Sequence, residues 1–449
     1  MNDKQLAVEI AKEVDKAGGK TYFVGGCVRD KILERENKDI DIEVYGITPK
    51  KLKEICSKYG QVDEIGISFG ILKIHGYDID ISIPRTERKV GDGHKSFDVN
   101  VDPFMSEKEA AKRRDFAINS IMQNVLTGEY VDSFNGIEDL KEKKIQYVDS
   151  VTFIEDPLRV FRAAQFASRF KFSITEDTLN LCRKINVSSL SKERIFEETN
   201  KALLKSDNPA IYFKILKETG HLKEFFPELE TLIGVKQNPK HHPEGDVWNH
   251  TMLVLDKAAK VKEKSSNPLY FMYAALFHDI GKPISTTEEN GSIKSIGHEI
   301  EGSKLSKQAL SHLTNETNLI NYVSNMVENH MKPHLINKKS SLKTTNRFFD
   351  KCINPYDQLL LGNCDTPIER IEEMELYDSG WWSDRLKSYK TLIKEPEVTG
   401  KDLIRLGYIP GPMFSLILKK CHLIHLAGVK KDDVIKQLPS IIKGIKQSK

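Results

Sequence analysis

Residues 24–45 read VGGCVRDKILERENKDIDIEVY, and this stretch decides the head of the molecule. An apolar run, Tyr22 to Val24, leads into Gly25 and Gly26, then a short basic helix start, then a strand-like run with alternating acids. Strand side chains repeat with period two, so Asp39, Asp41 and Glu43 fall on one face and Ile40, Ile42 and Val44 on the other. Two close carboxylates on a rigid strand suit a pair of Mg²⁺ ions roughly 3.5–4 Å apart, as used in phosphoryl or nucleotidyl transfer. The glycines let main-chain N–H groups approach a polyphosphate, and the following helix points its positive end at the same charge.

Composition bounds the rest. The chain has 449 residues, 39% hydrophobic and 30% charged, enough for two to four domains with real cores and too balanced for disorder. Net charge is only +3, so nucleic acid, if bound, is held by local basic patches and not by a global field. Cys27, Cys56, Cys182, Cys352, Cys364 and Cys421 are scattered without a CxxC pair, which fits a reducing cytoplasm better than a disulfide framework. No signal peptide and no apolar run of ~18–20 residues is seen, so no membrane association is expected. The opening segment predicts an amphipathic helix with Leu6, Ile10 and Val14 on one stripe, ended by Gly18 and Gly19.

GGxVRD followed by DxD resembles the signature of the class II tRNA nucleotidyltransferases (CCA-adding enzymes) and their poly(A) polymerase relatives in the polymerase β superfamily. The resemblance implies Asp39 and Asp41 as metal ligands, Gly25, Gly26 and Arg29 as triphosphate contacts, and Asp30 as a support residue. It implies an α+β fold: a mixed-sheet nucleotidyltransferase head over residues 1–150, then all-α neck (151–235), HD (236–380) and tail (381–449) parts.

Within residues 1–150 a helix is expected from Pro49 to Tyr59, then a hairpin through Ile71–Ile74 and Tyr77–Pro84. In DIDISIPR, Ile79, Ile81 and Ile83 alternate with Asp78, Asp80 and Ser82, and a third carboxylate here could face Asp39 and Asp41 across a sheet. Asp78 and Asp80 share a face; the family places its third acid five residues before an arginine, and counting back from Arg85 lands on Asp80. Residues 86–112 are polar and poor in periodicity, and read as a mobile loop with a short helix at its end. The family has a flexible element there that the final adenosine addition requires. RRDFAINSI follows: Arg113, Arg114 and Asp115 suit triphosphate contact and ribose recognition, with Asn119 alongside, while Phe116, Ile118 and Ile121 are expected to be buried.

EDPLRVFRAAQFASRF (155–170) is the second strong motif. Asp156 is a good helix N-cap with Pro157 at the first helical position, and Asp156, Arg159 and Arg162 line one face. Cytosine and adenine both present an amino donor beside a ring-nitrogen acceptor; uracil and guanine present the reverse. One carboxylate that accepts and one guanidinium that donates would take C and A and reject U and G. EDxxRxxR resembles the family's nucleotide-recognition motif, so Asp156 and Arg159 are assigned that role, with Arg162 as support or phosphate contact. Residues 171–235 read as helices, where Ser191, Arg194 and Glu197 look like a capped, ion-paired start.

Residues 236–380 gather His241, His242, His250, His278, His298, His330 and His334. VWNHTMLVLD and AALFHDIGKP each read as an amphipathic helix carrying metal-binding side chains, and His250, His278, Asp279 and a later acid could enclose a divalent metal. This resembles the HD phosphohydrolase domain, whose fourth ligand maps onto Asp365, while His298 and His330 match positions that hold a second metal or phosphate in some members. The metal's identity stays open. His241 and His242, before Pro243, read as loop. In the tail, Gly407, Pro410, Gly411 and Pro412 join two helices, and such a turn can hold a phosphate; it resembles the family's tRNA-contacting tail.

The reading expected from all this is template-independent addition of CMP and AMP, from CTP and ATP, to the tRNA 3′ end, with a metal-dependent hydrolase attached. A product restricted to CC, a single A or a poly(A) tail remains open, as does a protein that is mainly a phosphohydrolase with an RNA-binding head.

Overall fold

The computed structural model describes residues 1–37, 39–64, 70–89, 97–366 and 380–447. It separates into two compact units, Met1–Glu224 and Phe225–Lys449.

The first unit opens with the helix Asp3–Lys16, capped by a reciprocal pair between Asn2 and Gln5. Its Leu6, Ile10 and Val14 are fully buried, and Gly18 takes a left-handed φ of +84° just past its end. The chain then lays down β1 (Lys20–Val24), β2 (Ile40–Tyr45), β3 (Val62–Glu64), β4 (Ile71–Ile74) and β5 (Ile79–Ser82). A short ribbon, β6 (Arg85–Lys89) with β7 (Phe97–Val101), precedes β8 (Met122–Asn124) and β9 (Tyr130–Val131). The main sheet has the order β3-β4-β5-β2-β1-β8-β9, with β2 parallel to β5 and antiparallel to β1. Ile42 and Ile81 stand opposite each other in that parallel pair and face the core under Leu6, Ile10 and Leu52. Asp41 and Asp80, also opposite, therefore face away from it.

The helix expected over 49–59 spans Pro49–Cys56, and the expected hairpin forms as β4 and β5. The stretch read as a loop differs: Arg85–Lys89 pairs antiparallel with Phe97–Val101, and only the helix at its end (Glu107–Ala111) matches the expectation. RTERK contains no apolar residue, so its alternation has no amplitude to detect. Residues 90–96 of that reading lie outside the described residues.

Phe116, Ile118 and Ile121 are fully buried, as expected. Behind them, Asp132 accepts from the Gly136 and Ile137 N–H groups at 2.8 and 2.9 Å and starts the helix Gly136–Lys141. A Cβ on Gly136 would lie 2.2 Å from the Ala117 carbonyl oxygen. Gly136→Ala is therefore expected to cost about 1–3 kcal/mol of stability, read as a lowered midpoint in urea. An unchanged midpoint would show that the 117–121 segment can move aside.

The helices Leu158–Phe170, Lys192–Lys205 and Ala210–Glu218 pack together. Two features depart from the reading of 171–235. Ser173–Ile174 is a short strand parallel to Lys144–Ile145, and the Ser191 side chain makes no capping hydrogen bond. Arg194 is committed to Asp156 at 3.3 Å, a partner 38 residues away that no local pattern reveals.

The second unit is mostly helical. VWNHTMLVLD lies in Val247–Val261. The helix expected through AALFHDIGKP ends at Phe277, leaving His278 at its cap and Asp279 in the turn beyond. It is buried on every side from Phe271 to Phe277 and so is not amphipathic. One hairpin, Thr286–Glu289 with Ser292–Ser295, interrupts the all-α reading. Asn290 and Gly291 supply its two left-handed residues, φ +51° and +74°, the usual Asn-Gly turn signal. The tail helices Gly400–Arg405 and Met413–His425 flank the Gly407–Pro412 turn as expected. Among the described residues, no helix is long and apolar enough to cross a membrane, and the six cysteines are unpaired.

Candidate active site and metal centre

In the first unit a cleft of about 420 Å³ opens above the sheet. Asp41, near the start of β2, and Asp80, on β5, meet in register, with exposed Asp39 just before β2. Asp78 precedes β5 and its N–H donates to Asp3 at 3.2 Å, so Asp80 is the acid opposite Asp41. Burial raises the Asp41 carboxyl above its usual range, and the charges of Asp80 and Asp39 add to the effect. Like charges gathered in this way fit a divalent cation, and Lys73 pairs with Asp80 at 2.8 Å.

Gly25 adopts φ +71° at the helix start; a Cβ there would lie 3.2 Å from Arg114 Nη1 and 3.8 Å from Asp41 Oδ2. The glycine turn, Arg114 and Asp41 are thus one constellation, while Asp39 lines a neighbouring cavity. Arg29, expected as a triphosphate contact, borders the cleft but is only 4% exposed. It donates to Asp30 at 2.8 Å and to Asn119 at 2.6 Å and lies 4.7 Å from the Phe170 ring centre. Asp30 also accepts from Asn37, in keeping with a support role. Asp115 accepts from Asn119 at 2.9 Å and from Arg162 Nε at 2.7 Å. Burial would raise its carboxyl, but Arg162, Asn119 and Arg159 outweigh it and hold it below the usual range. Arg162 is thus paired with Asp115 while it also lines the cleft.

The next helix starts at Leu158 with Pro157, not Asp156, at its cap position, one residue later than expected; Asp156 Oδ1 accepts from the Leu158 N–H at 3.2 Å. Arg194 Nη2 donates to Asp156 at 3.3 Å, and Arg159 Nη2 donates to the Arg113 carbonyl. Both Asp156 and Arg159 line the cleft, as do Lys201 and Lys205, which sequence reasoning missed. Their i, i+4 spacing on the helix Lys192–Lys205 was the only signal.

In the second unit the predicted ligands converge. His250 Nε2 lies 2.8 Å from Asp365 Oδ1 and 3.7 Å from Asp279 Oδ2; His278 Nε2 lies 3.3 Å from Asp279 Oδ2 and 3.5 Å from Asp365 Oδ1. On the other oxygen of Asp279, His298 and His330 approach at 3.3 and 3.6 Å. Two overlapping groups result, His250–His278–Asp279 and Asp279–His298–His330.

The tautomers test whether a metal fits. Nδ1 of His278, His298 and His330 donates to the carbonyls of Ala275, Ser295 and Val327 at 2.8, 2.6 and 2.6 Å, and His250 Nδ1 donates to Glu244 at 2.6 Å. Carbonyls and carboxylates only accept, so the neutral form of each ring turns an Nε2 lone pair inward. Two such lone pairs, on His298 and His330, face each other at 3.1 Å. Protons or a cation must sit among them, and the nitrogen–carboxylate donor set suits a divalent metal. Burial opposes protonation of His278, but Asp279 and Asp365 overcome it and raise its imidazolium to about 10. Lys282 also pairs with Asp279, at 2.7 Å.

Three residues here were not assigned a role from sequence. Glu244 orients His250; His334 reaches Asp365 at 3.0 Å; and His242, read only as loop, stacks edge-on against His250 at 4.7 Å and bonds Glu244. His241 lines the adjoining cavity.

A glycine turn beside paired strand acids, and a buried histidine–aspartate cluster, define a nucleotidyltransferase head and an HD module. A family profile described as the poly A polymerase head domain matches residues 21–146. A probable RNA- and SrmB-binding site of polymerase A matches 171–233, and an HD domain matches 247–369. The chain is 36% identical over 320 residues to the multifunctional CCA protein of Actinobacillus pleuropneumoniae serotype 5b, covering 70% of this chain and 75% of that protein. With the Mannheimia succiniciproducens multifunctional CCA protein it shares 36% over 343 residues, 74% and 78% of the two chains. The chain belongs to this family of multifunctional CCA proteins. Its fold is that of the Bacillus stearothermophilus CCA-adding enzyme in complex with CTP (TM-score 0.68, 19% identity, all of both chains). The Thermotoga maritima CCA-adding enzyme complexed with tRNA also matches (TM-score 0.61, 21% identity, 98% and 95% of the chains). Both the nucleotidyltransferase and HD families are metal-dependent.

Proposed function

We propose that this chain adds CMP and AMP to the 3′ end of tRNA, choosing CTP and ATP with a protein surface in place of a template strand. The observation that carries this is Asp41, in parallel register with Asp80, sharing one cleft with the Gly25 turn, Asp156 and Arg159. Asp39, Asp41 and Asp80 would hold divalent ions, which we take as Mg²⁺; when bound they supply activation of the attacking 3′-hydroxyl and charge relief on pyrophosphate. Arg113 and Arg114, with the N–H groups after Gly25, hold the triphosphate. Asp156 accepts from the base amino group and Arg159 donates to the neighbouring ring nitrogen, a pairing that C and A satisfy and U and G do not. The assignment divides the chain into head (1–150), neck (151–235), HD module (236–380) and tail (381–449), acting on tRNA in the cytoplasm.

Sequencing the 3′ ends made on tRNA lacking its terminal nucleotides, with CTP and ATP together and singly, tests the reading. CCA ends support it; CC ends, a lone A or a poly(A) tail replaces it with a restricted activity. Arg159→Ala is expected to relax nucleotide choice by about tenfold or more, measured as the ratio of kcat/KM for CTP and ATP over UTP and GTP. An unchanged ratio removes Arg159 from base selection.

For the second unit the inward lone pairs favour a working hydrolase. There His250, His278, Asp279 and Asp365 would hold one divalent metal, and His298 and His330, with Asp279, would offer a second position.

A further inference from the structure

Glu43 is the acid of the opening stretch that the metal site leaves over. Period-two alternation puts it on the face of Asp39 and Asp41, yet it is 1% exposed while Asp39 is exposed. Both its oxygens are taken. Oε1 accepts from Arg113 Nη2 at 2.6 Å; Oε2 accepts from the Tyr45 hydroxyl at 2.8 Å and lies 3.7 Å from Arg114 Nη2. Each oxygen is thus tied to a donor on the Arg113, Arg114 and Tyr45 side.

The surroundings are apolar: Tyr22 is its cross-strand neighbour, and Tyr45 and Met122 pack alongside. A buried carboxylate in such a place is a weak source of stability, because desolvation offsets most of the attraction to its partners. What it does is fix direction. Arg114 spans from Glu43 to the glycine turn, where its Nη1 lies 3.2 Å from the place a Gly25 Cβ would take. Arg113, held by the same carboxylate, offers its carbonyl to Arg159.

We infer that Glu43 is a positioning residue for triphosphate binding, its buried carboxylate holding the Arg113 and Arg114 guanidiniums against the glycine turn. This rests on reading the cleft as the nucleotide site. The long side chains of two adjacent arginines would otherwise sample many rotamers, and Glu43 anchors both. It acts on the triphosphate, which CTP and ATP share, so its loss must affect both alike.

The test is steady-state nucleotide addition by Glu43→Gln, which keeps the shape and removes the charge. KM for CTP and for ATP is expected to rise about tenfold each, with kcat within about threefold of wild type. In an Arg113→Ala, Arg114→Ala background the same change should add no further loss, because the groups it positions are gone. Should Glu43→Gln fold poorly, Glu43→Asp keeps the charge on a shorter stem and is expected to give the smaller KM rise of the two. Unchanged KM values with a reduced active fraction would leave Glu43 merely structural and overturn the inference. So would a loss confined to kcat with altered Mg²⁺ dependence, or unequal effects on CTP and ATP. If the wild-type chain incorporates neither nucleotide, the reading of the cleft fails and takes this inference with it.

Discussion

Asp41→Ala should reduce incorporation of CMP and AMP at least about 10³-fold while leaving the fold intact or slightly firmer. The two halves of this expectation have one cause. Asp41 stands partly buried opposite Asp80, and burial together with the neighbouring acids raises its carboxyl above the usual range. For an acid so shifted, the charged form is less favourable folded than unfolded. Its contribution is therefore best below the unfolded pKa and is lost as pH rises through the folded value. At neutral pH, without a divalent ion, the ionised Asp41 works against folding, so its removal does not lower the thermal midpoint. Added Mg²⁺ reverses the comparison: wild type gains stability through ligation and the variant gains less. Radiolabelled incorporation read beside melting curves with and without Mg²⁺ checks both halves. Incorporation at wild-type level would refute the metal assignment.

The sequence made much of this head legible, and the reasons it stopped short are physical. Alternation alone separates Asp39 and Asp41 from Ile40, Ile42 and Val44, because one face of β2 is core. It cannot say which strand lies next door. That Asp80, and not Asp78, stands opposite Asp41 is visible only in the β2–β5 register. Glu43 shows the same boundary: its face was readable, but its guanidinium partners come from residues 113 and 114, seventy positions on. Arg194 was read as a local helix charge for the same reason, its acid Asp156 lying far back in the chain. In the second unit the reverse holds. AALF is apolar in every direction, so periodicity could not tell a buried helix from an amphipathic one, yet the adjacent His278 and Asp279 still marked the centre.

The other large effect is expected at that centre. Asp279→Ala should abolish metal-stimulated hydrolysis of 2′,3′-cyclic phosphates and weaken divalent-metal binding by about 10²-fold or more, while sparing nucleotide addition. Asp279 is the carboxylate common to both groups, approached by His250 and His278 at one oxygen and by His298 and His330 at the other. Without it the inward nitrogens lose the charge that draws a cation among them. The metal-free protein gives a second readout. His278, raised to about 10 mainly by Asp279 against the pull of burial, is imidazolium at neutral pH. A metal must displace that proton, so wild-type binding releases protons and its affinity rises with pH towards that value. Removing Asp279 takes away the largest charge that raises His278, and the proton release per metal should fall with it. Calorimetry in buffers of different ionisation enthalpy measures that release, and metal analysis after dialysis measures occupancy. Retained metal with full hydrolysis would remove Asp279 from the centre. Loss of nucleotide addition together with hydrolysis would show that the two chemistries share a site, which the separate placement of their residues in 1–224 and 225–449 argues against.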